Sequence, residues 1–436
     1  MRKTALNLLL VAAPLSLWVI GCKPDITIPA ASSGTANFSR YVAVGNSLTS
    51  GYSSGALSRD GQINSYPDML SAQMKAAGGG SFKLPLLQEG NGNNGSGIPM
   101  LTLAIVNGSL APAPDFPATP LDNISAGGPY NDVGTPGARS VDMMQPQYSL
   151  LNPFLQRFCQ TPGTSTIISE AMRINPTFFT AWIGSNDVLG YATSGGIGKV
   201  APPIPAPDDI TDTGQFHAAL LASLTTLTSG GAKGVVANIP DVVSIPYFTT
   251  IPYNGLVLTA GQATQLNLAY SSLPTVHFQA GANGFVVADP LAPGGFRQMA
   301  PGEIVLLPDL TAIESQGYGS MIPLTDNMYL NATEINNIEN FTNWYNQIIG
   351  SVAQQLGLGV VDMNSYLKEI QPGFIYDGEA LGATYISGGA FSLDGVHPTD
   401  KGYALIANQF INEINVKFGA HLTQVDPIQY KGLLFP

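Results

Sequence analysis

Three short segments of the 436-residue chain carry side chains suited to covalent acyl chemistry. They are Gly45-Asn46-Ser47-Leu48-Thr49, Gly184-Ser185-Asn186-Asp187 and Asp394-Gly395-Val396-His397-Pro398-Thr399. A serine hydroxyl becomes a nucleophile when a base lies within hydrogen-bond reach and a carboxylate orients that base. Asp394 and His397 lie three apart, so one turn presents both, and the order Ser, Asp, His suits a triad of Ser47, Asp394 and His397. Charge developing on a carbonyl oxygen needs donors aimed at it, which the Ser47 N–H, a glycine N–H and the Asn186 amide supply. Taken singly, each residue has a plainer use: serines at strand ends cap helices or make turns, and Asp187 reads as a helix N-cap outside the catalytic set.

Two other patterns compete with these assignments. Gly51-Tyr52-Ser53-Ser54-Gly55 matches the G-x-S-x-G elbow, but that elbow must follow a strand directly and open a helix. Here the preceding strand has already ended, so Ser53 is expected in a loop. Of the four histidines, His217 falls in a helical stretch, His277 in a strand-like one, and His421 after the last helix. Only His397 has a carboxylate at the required spacing.

Residues this far apart meet only if the fold brings them to one edge. Short β-rich runs at 41–44, 178–183, 234–239 and 360–362 alternate with helical patterns at 67–77, 216–228, 332–356 and 399–416. The longest helix steps Ile335, Ile338, Phe341, Tyr345, Ile348 and Val352 by threes and fours, with Asn331 and Glu334 as its N-terminal cap pair. Alternation of this kind predicts an α/β chain with an open parallel sheet and helices on both sides. In such sheets ligands gather at the carboxyl ends of the strands, where all three segments fall.

Composition narrows the partners. Lys+Arg number 17 against 29 Asp+Glu, a net charge of −12, which leaves no basic stripe for nucleic acid. Two cysteines and four histidines make neither a disulfide framework nor a zinc cluster, and no metal or cofactor is expected. The 90–97 glycine run lacks the Lys-Ser/Thr of a phosphate loop.

Met1-Arg2-Lys3, the apolar run to Ile20 and Gly21-Cys22 describe an export signal over 1–21. Val19-Ile20-Gly21-Cys22 resembles a bacterial lipobox, which implies lipidation of Cys22 and a membrane anchor. Residues 22–37 read as a flexible tether, leaving 38–436 as one folded domain. Lys23 after the cysteine points to an exported lipoprotein of the outer membrane, on its periplasmic or surface face.

Taken together, the motifs resemble the SGNH (GDSL-like) hydrolase superfamily. Gly45-Asn46-Ser47-Leu48 is similar to its first block, with Asn46 where the family usually has Asp. Gly137 in Gly134-Thr135-Pro136-Gly137-Ala138-Arg139 stands where the family has an oxyanion glycine; Arg139 either reaches the site or pairs with an acid. Gly184-Ser185-Asn186-Asp187 and Asp394 to Pro398 match the last two blocks in full. The resemblance implies a three-layer α/β/α, flavodoxin-like fold with a parallel sheet. It also implies a serine esterase or lipase with Ser47, Asp394 and His397 as triad and Ser47, Gly137 and Asn186 as oxyanion hole. Its substrate would be a small-molecule, lipid or acylated-glycan ester. The rival reading is a non-catalytic surface lipoprotein that binds glycan or lipid on the same scaffold. A long insertion at about 243–327 is expected as a lid, a substrate-binding cap or a loop region packed on the sheet.

Overall fold

The central sheet is built from four short strands: β1 (Tyr41–Gly45), β2 (Phe178–Trp182), β3 (Lys233–Ala237) and β4 (Gly359–Val361). The computed structural model describes residues 30–106 and 108–436, so the expected export signal, Cys22 and half of the expected tether, residues 22–29, lie outside the described residues. All neighbouring strands run parallel, in the order β1-β2-β3-β4, with Tyr41 opposite Phe178 and Thr180 opposite Val235.

Alternate side chains of each strand enter different cores, as the two-residue period of a strand requires. Tyr41, Ala43, Phe178, Trp182 and Val235 pack with helices α2 (Tyr66–Ala76) and α7 (Asp400–Phe418). Val42, Val44, Phe179, Ala181 and Val236 pack on the other side with α4 (Thr213–Thr228) and α5 (Ala332–Leu356). Both faces of the sheet are therefore covered, and the strands read as continuous apolar runs for that reason. The result is a three-layer α/β/α fold, as expected.

One strand-like edge was not expected. Residues 131–135 run parallel along the free side of β1, with the Ala43 N–H donating to the Asn131 carbonyl (2.8 Å) and the Val133 N–H to that of Ala43 (3.0 Å). In chain order this ribbon comes second, so the sheet reads 2-1-3-4-5, the flavodoxin-like order. Its sequence, Asn131-Asp132-Val133-Gly134, carries one apolar side chain and gives no strand pattern.

The caps account for most helix limits. Asn331 accepts from the Thr333 and Glu334 N–H groups while the Glu334 carboxylate accepts from the Asn331 N–H, so α5 starts as expected and ends at Gly357. Thr399 caps α7 by accepting from the Gly402 N–H (3.1 Å). Asp212 starts α4 at Thr213, three residues before its first apolar side chain.

The stretch at 243–327 has apolar centres of its own. Ile251, Phe285, Val287, Met299, Val305 and Leu324 form one; Leu258, Ala263, Leu266, Val276, Phe278 and Val286 form another. The stretch contains a helix at Ala260–Ala269 and a short strand, Val286–Ala288, paired with Phe296–Gln298. At its near end the Tyr247 N–H donates to the Gly395 carbonyl (2.9 Å), so the stretch is tied to the loop that carries His397.

Candidate active site

β1 runs straight into a single helical turn, α1 (Ser47–Ser50), which puts Ser47 at the carboxyl edge of the sheet. Gly45 permits the tight exit, since a Cβ there would lie 2.1 Å from Thr49 Oγ1 and 2.6 Å from the Trp182 carbonyl. Asn46 caps the turn, its Oδ1 accepting from the Leu48 N–H (3.1 Å), while its Nδ2 is buried without a protein partner. As the first residue of a helical turn, Ser47 has an N–H with no intrahelical acceptor.

Ser47 Oγ lies 2.9 Å from His397 Nε2, and His397 Nδ1 lies 2.8 Å from Asp394 Oδ2. The structure thus brings together three residues of which the first and last are 350 positions apart. Asp394 also shapes the loop that delivers the imidazole: its Oδ1 accepts from the backbone N–H groups of Val396 (2.9 Å) and His397 (2.8 Å), an Asx turn. Burial alone would raise the Asp394 pKa. The positive charge available on His397 and these donors outweigh it and hold the carboxyl at about 2.

The loop of residues 51–55 has a part that its sequence did not reveal. Gly55 N–H donates to Asp394 Oδ2 (2.7 Å), and Ser54 N–H to Ser392 Oγ (2.8 Å), which in turn donates to Asp394 Oδ1 (3.1 Å). Ser53 sits in this loop as expected, its hydroxyl donating to the Pro398 carbonyl (2.9 Å) and not facing a histidine. The Tyr52 ring lies 4.7 Å from the His397 ring, and the Tyr403 hydroxyl ties down the Tyr52 carbonyl (2.7 Å). Gly55 and Tyr52 reach the site across some 340 positions, and Ser392, two residues from Asp394, ties that loop to Ser54 over a similar separation, for which no local pattern exists.

Asn186 opens α3 (Asn186–Thr193) after Gly184, whose φ of +118° and close approach to Phe216 and Ile239 exclude a side chain. Its Nδ2 donates to the Ala138 carbonyl (3.0 Å), leaving the second amide hydrogen free. Gly137, at φ +82°, is exposed beside Ala138, and among the described residues its N–H donates to no backbone or side-chain acceptor.

Asp187 is not the N-cap expected from sequence, because the cap lies two residues earlier, at Ser185, and Asp187 is the second helical residue. Its buried carboxylate accepts instead from the Ser140 N–H (2.7 Å) and hydroxyl (2.6 Å). Burial raises its pKa to about 6 against the pull of those donors. Arg139 pairs with Asp142 (3.0 Å) and donates to the carbonyls of Pro205 and Ala206, which resolves its role as structural. His217, His277 and His421 are all exposed, and His421 bonds Ser32 (3.1 Å).

A serine hydroxyl against an imidazole nitrogen, with the other ring nitrogen on a carboxylate, can give up its proton as it attacks an electrophile. A cavity opens beside it, lined by Ser47, Asn186 and His397 together with apolar side chains.

A family model described as GDSL-like Lipase/Acylhydrolase matches residues 41–410. No curated protein matches the chain. Among solved structures, a lipase/acylhydrolase from Enterococcus faecalis is 13% identical, with a TM-score of 0.33 over 88% of this chain and 98% of that one. An extracellular lipase from Streptomyces rimosus is 13% identical, with a TM-score of 0.35 over 86% and 98%. A variant of an acetyl-xylooligosaccharide esterase from Geobacillus Stearmophilus is 12% identical, with a TM-score of 0.34 over 87% and 96%.

Proposed function

The chain belongs to the GDSL-like lipase/acylhydrolase family, and from that premise we propose that it is a serine hydrolase of carboxylic esters. The observation that carries this reading is the unbroken relay from Ser47 Oγ through His397 to Asp394. Ser47 Oγ attacks the ester carbonyl carbon while His397 Nε2 takes the hydroxyl proton. The carbonyl oxygen becomes an anion held by the Ser47 and Gly137 N–H groups and the free Asn186 amide hydrogen. As the anion collapses the C–O bond to the alcohol breaks, and His397 returns the proton to the departing oxygen. Water then attacks the Ser47 ester with His397 as base, and the acid leaves. Asp394 holds the ring with Nδ1–H toward it, which leaves Nε2 as the acceptor. Loss of a single oxyanion donor costs about 10²–10³ in turnover.

Fluorophosphonate labelling tests the assignment. Wild-type protein takes the label, and Ser47→Ala, with its fold intact by circular dichroism, takes none. An unlabelled, folded wild type overturns the enzyme reading and leaves the rival, a glycan- or lipid-binding lipoprotein.

The same proposal places the enzyme on a membrane through lipid at Cys22, in the bacterial envelope. Several acyl chains anchor stably where one is marginal. In cells fed a radiolabelled fatty acid, wild type incorporates it and stays with membranes, whereas Cys22→Ala does neither. Equal partition of the two proteins overturns the anchor.

A further inference from the structure

The cavity beside Ser47 has a volume of ≈ 90 Å³ and no Asp, Glu, Lys or Arg on its wall. One side comes from α6 (Met363–Ile370), which presents Met363, Tyr366, Leu367 and Ile370 along a single stripe. Leu189 of α3, Ile406 of α7 and Trp182 from the end of β2 also line it. A helix ordinarily buries such a stripe against another element. Here part of it borders empty space that begins at the serine.

An apolar wall of this kind selects by what it cannot pair. Sugar hydroxyls or a carboxylate placed there would lose their water with little replacement, which is costly in apolar surroundings. A hydrocarbon chain loses nothing and gains burial. The acyl carbon is the atom that bonds to Ser47 Oγ, so the acyl chain starts one bond from the mouth of the cavity. The alcohol's chain starts beyond the ester oxygen.

We propose that this cavity is the acyl-chain site, and that the enzyme acts on esters of uncharged, unbranched medium-chain acids in preference to acetyl esters. At about 10–15 Å³ of such volume for each water-sized group, the space takes roughly six to nine carbons. The proposal rests on Ser47 as the nucleophile and adds the part of the substrate that Ser47 alone leaves open.

The test uses p-nitrophenyl acetate, butyrate, hexanoate, octanoate and palmitate with the full chain. Each buried methylene is worth about fourfold in kcat/KM, so hexanoate exceeds acetate by on the order of a hundredfold. The rise stops near octanoate and reverses by palmitate. Leu189→Trp and Ile406→Trp, at two half-buried positions on different helices, each fill the cavity and lower the octanoate-to-acetate ratio of kcat/KM at least tenfold. A flat or acetate-favouring profile, in protein that still takes the fluorophosphonate label at Ser47, overturns the acyl site and leaves the serine reading standing. So does a chain-length dependence found only in an ethyl-to-octyl acetate series, which would seat the alcohol there. Absence of both label and hydrolysis removes the serine reading itself.

Discussion

Asp394 accepts five hydrogen bonds or close polar contacts, and only one of them is from the imidazole it faces. The others come from its own loop and from the 51–55 loop, so removing its charge disturbs position as well as electrostatics. Asp394→Asn favours the wrong imidazole tautomer and is expected to lower kcat by on the order of 10⁴ with KM little changed. The same residue makes stability depend on pH in a defined direction. Its folded pKa of about 2 lies below the ordinary carboxylate value, so its contribution is complete above about pH 4 and is lost as the pH falls through 2. Urea unfolding of wild type and Asp394→Asn should therefore differ at pH 7 and converge toward pH 2. A gap that stays constant over that range contradicts the assignment.

Elements position these groups by being stapled to one another. Two consecutive residues at the start of α3 reach the 137–140 turn, Asn186 through the Ala138 carbonyl and Asp187 through Ser140. The two segments proposed to offer oxyanion donors are thereby held as one piece. Asp187→Ala breaks the buried half of that staple without touching substrate. It is expected to lower kcat about 10- to 100-fold while KM moves by less than about threefold, since a displacement near 1 Å is enough for that. A change confined to KM would assign Asp187 to binding instead.

At this scale the sequence was readable where a local rule operated. The Asn331 and Glu334 pair marked the start of α5 to the residue, because a capping box is written in four adjacent positions. Strands β1 and β2 were visible as apolar runs because both their faces are covered. The 131–135 ribbon was not, since it pairs only along β1 through backbone groups that any residue carries. Asp187 escapes for a related reason: N-cap and second helical position differ by two residues, and helix limits shift by that much easily. The relay residues stood out by type and spacing. Tyr52, Gly55 and Ser392, which hold the relay in place, stood out by neither.

The molecule as a whole divides its apolar interior unequally. The two large cores sandwich the sheet, while the 243–327 stretch keeps two small ones that share no residue with them. Its stability should be correspondingly local. Phe285→Ala is expected to cost about 3–5 kcal/mol within its own cluster. Hydrogen exchange should then quicken across 251–329 while the amides of β1 to β4 keep their protection. Equal loss of protection in the sheet would mean that the stretch and the main body unfold together.

The 350 positions between Ser47 and His397 also order events during synthesis. The serine leaves the ribosome early, whereas the imidazole follows hundreds of residues later, just ahead of the final helix. Until that helix docks against α2 and the sheet, the hydroxyl is an ordinary alcohol with no base beside it. On the proposed reading, a nascent or unfolded chain is for that reason chemically inert toward ester substrates. Such long-range closure slows folding. In exchange, hydrolytic power arrives as the last consequence of a completed fold.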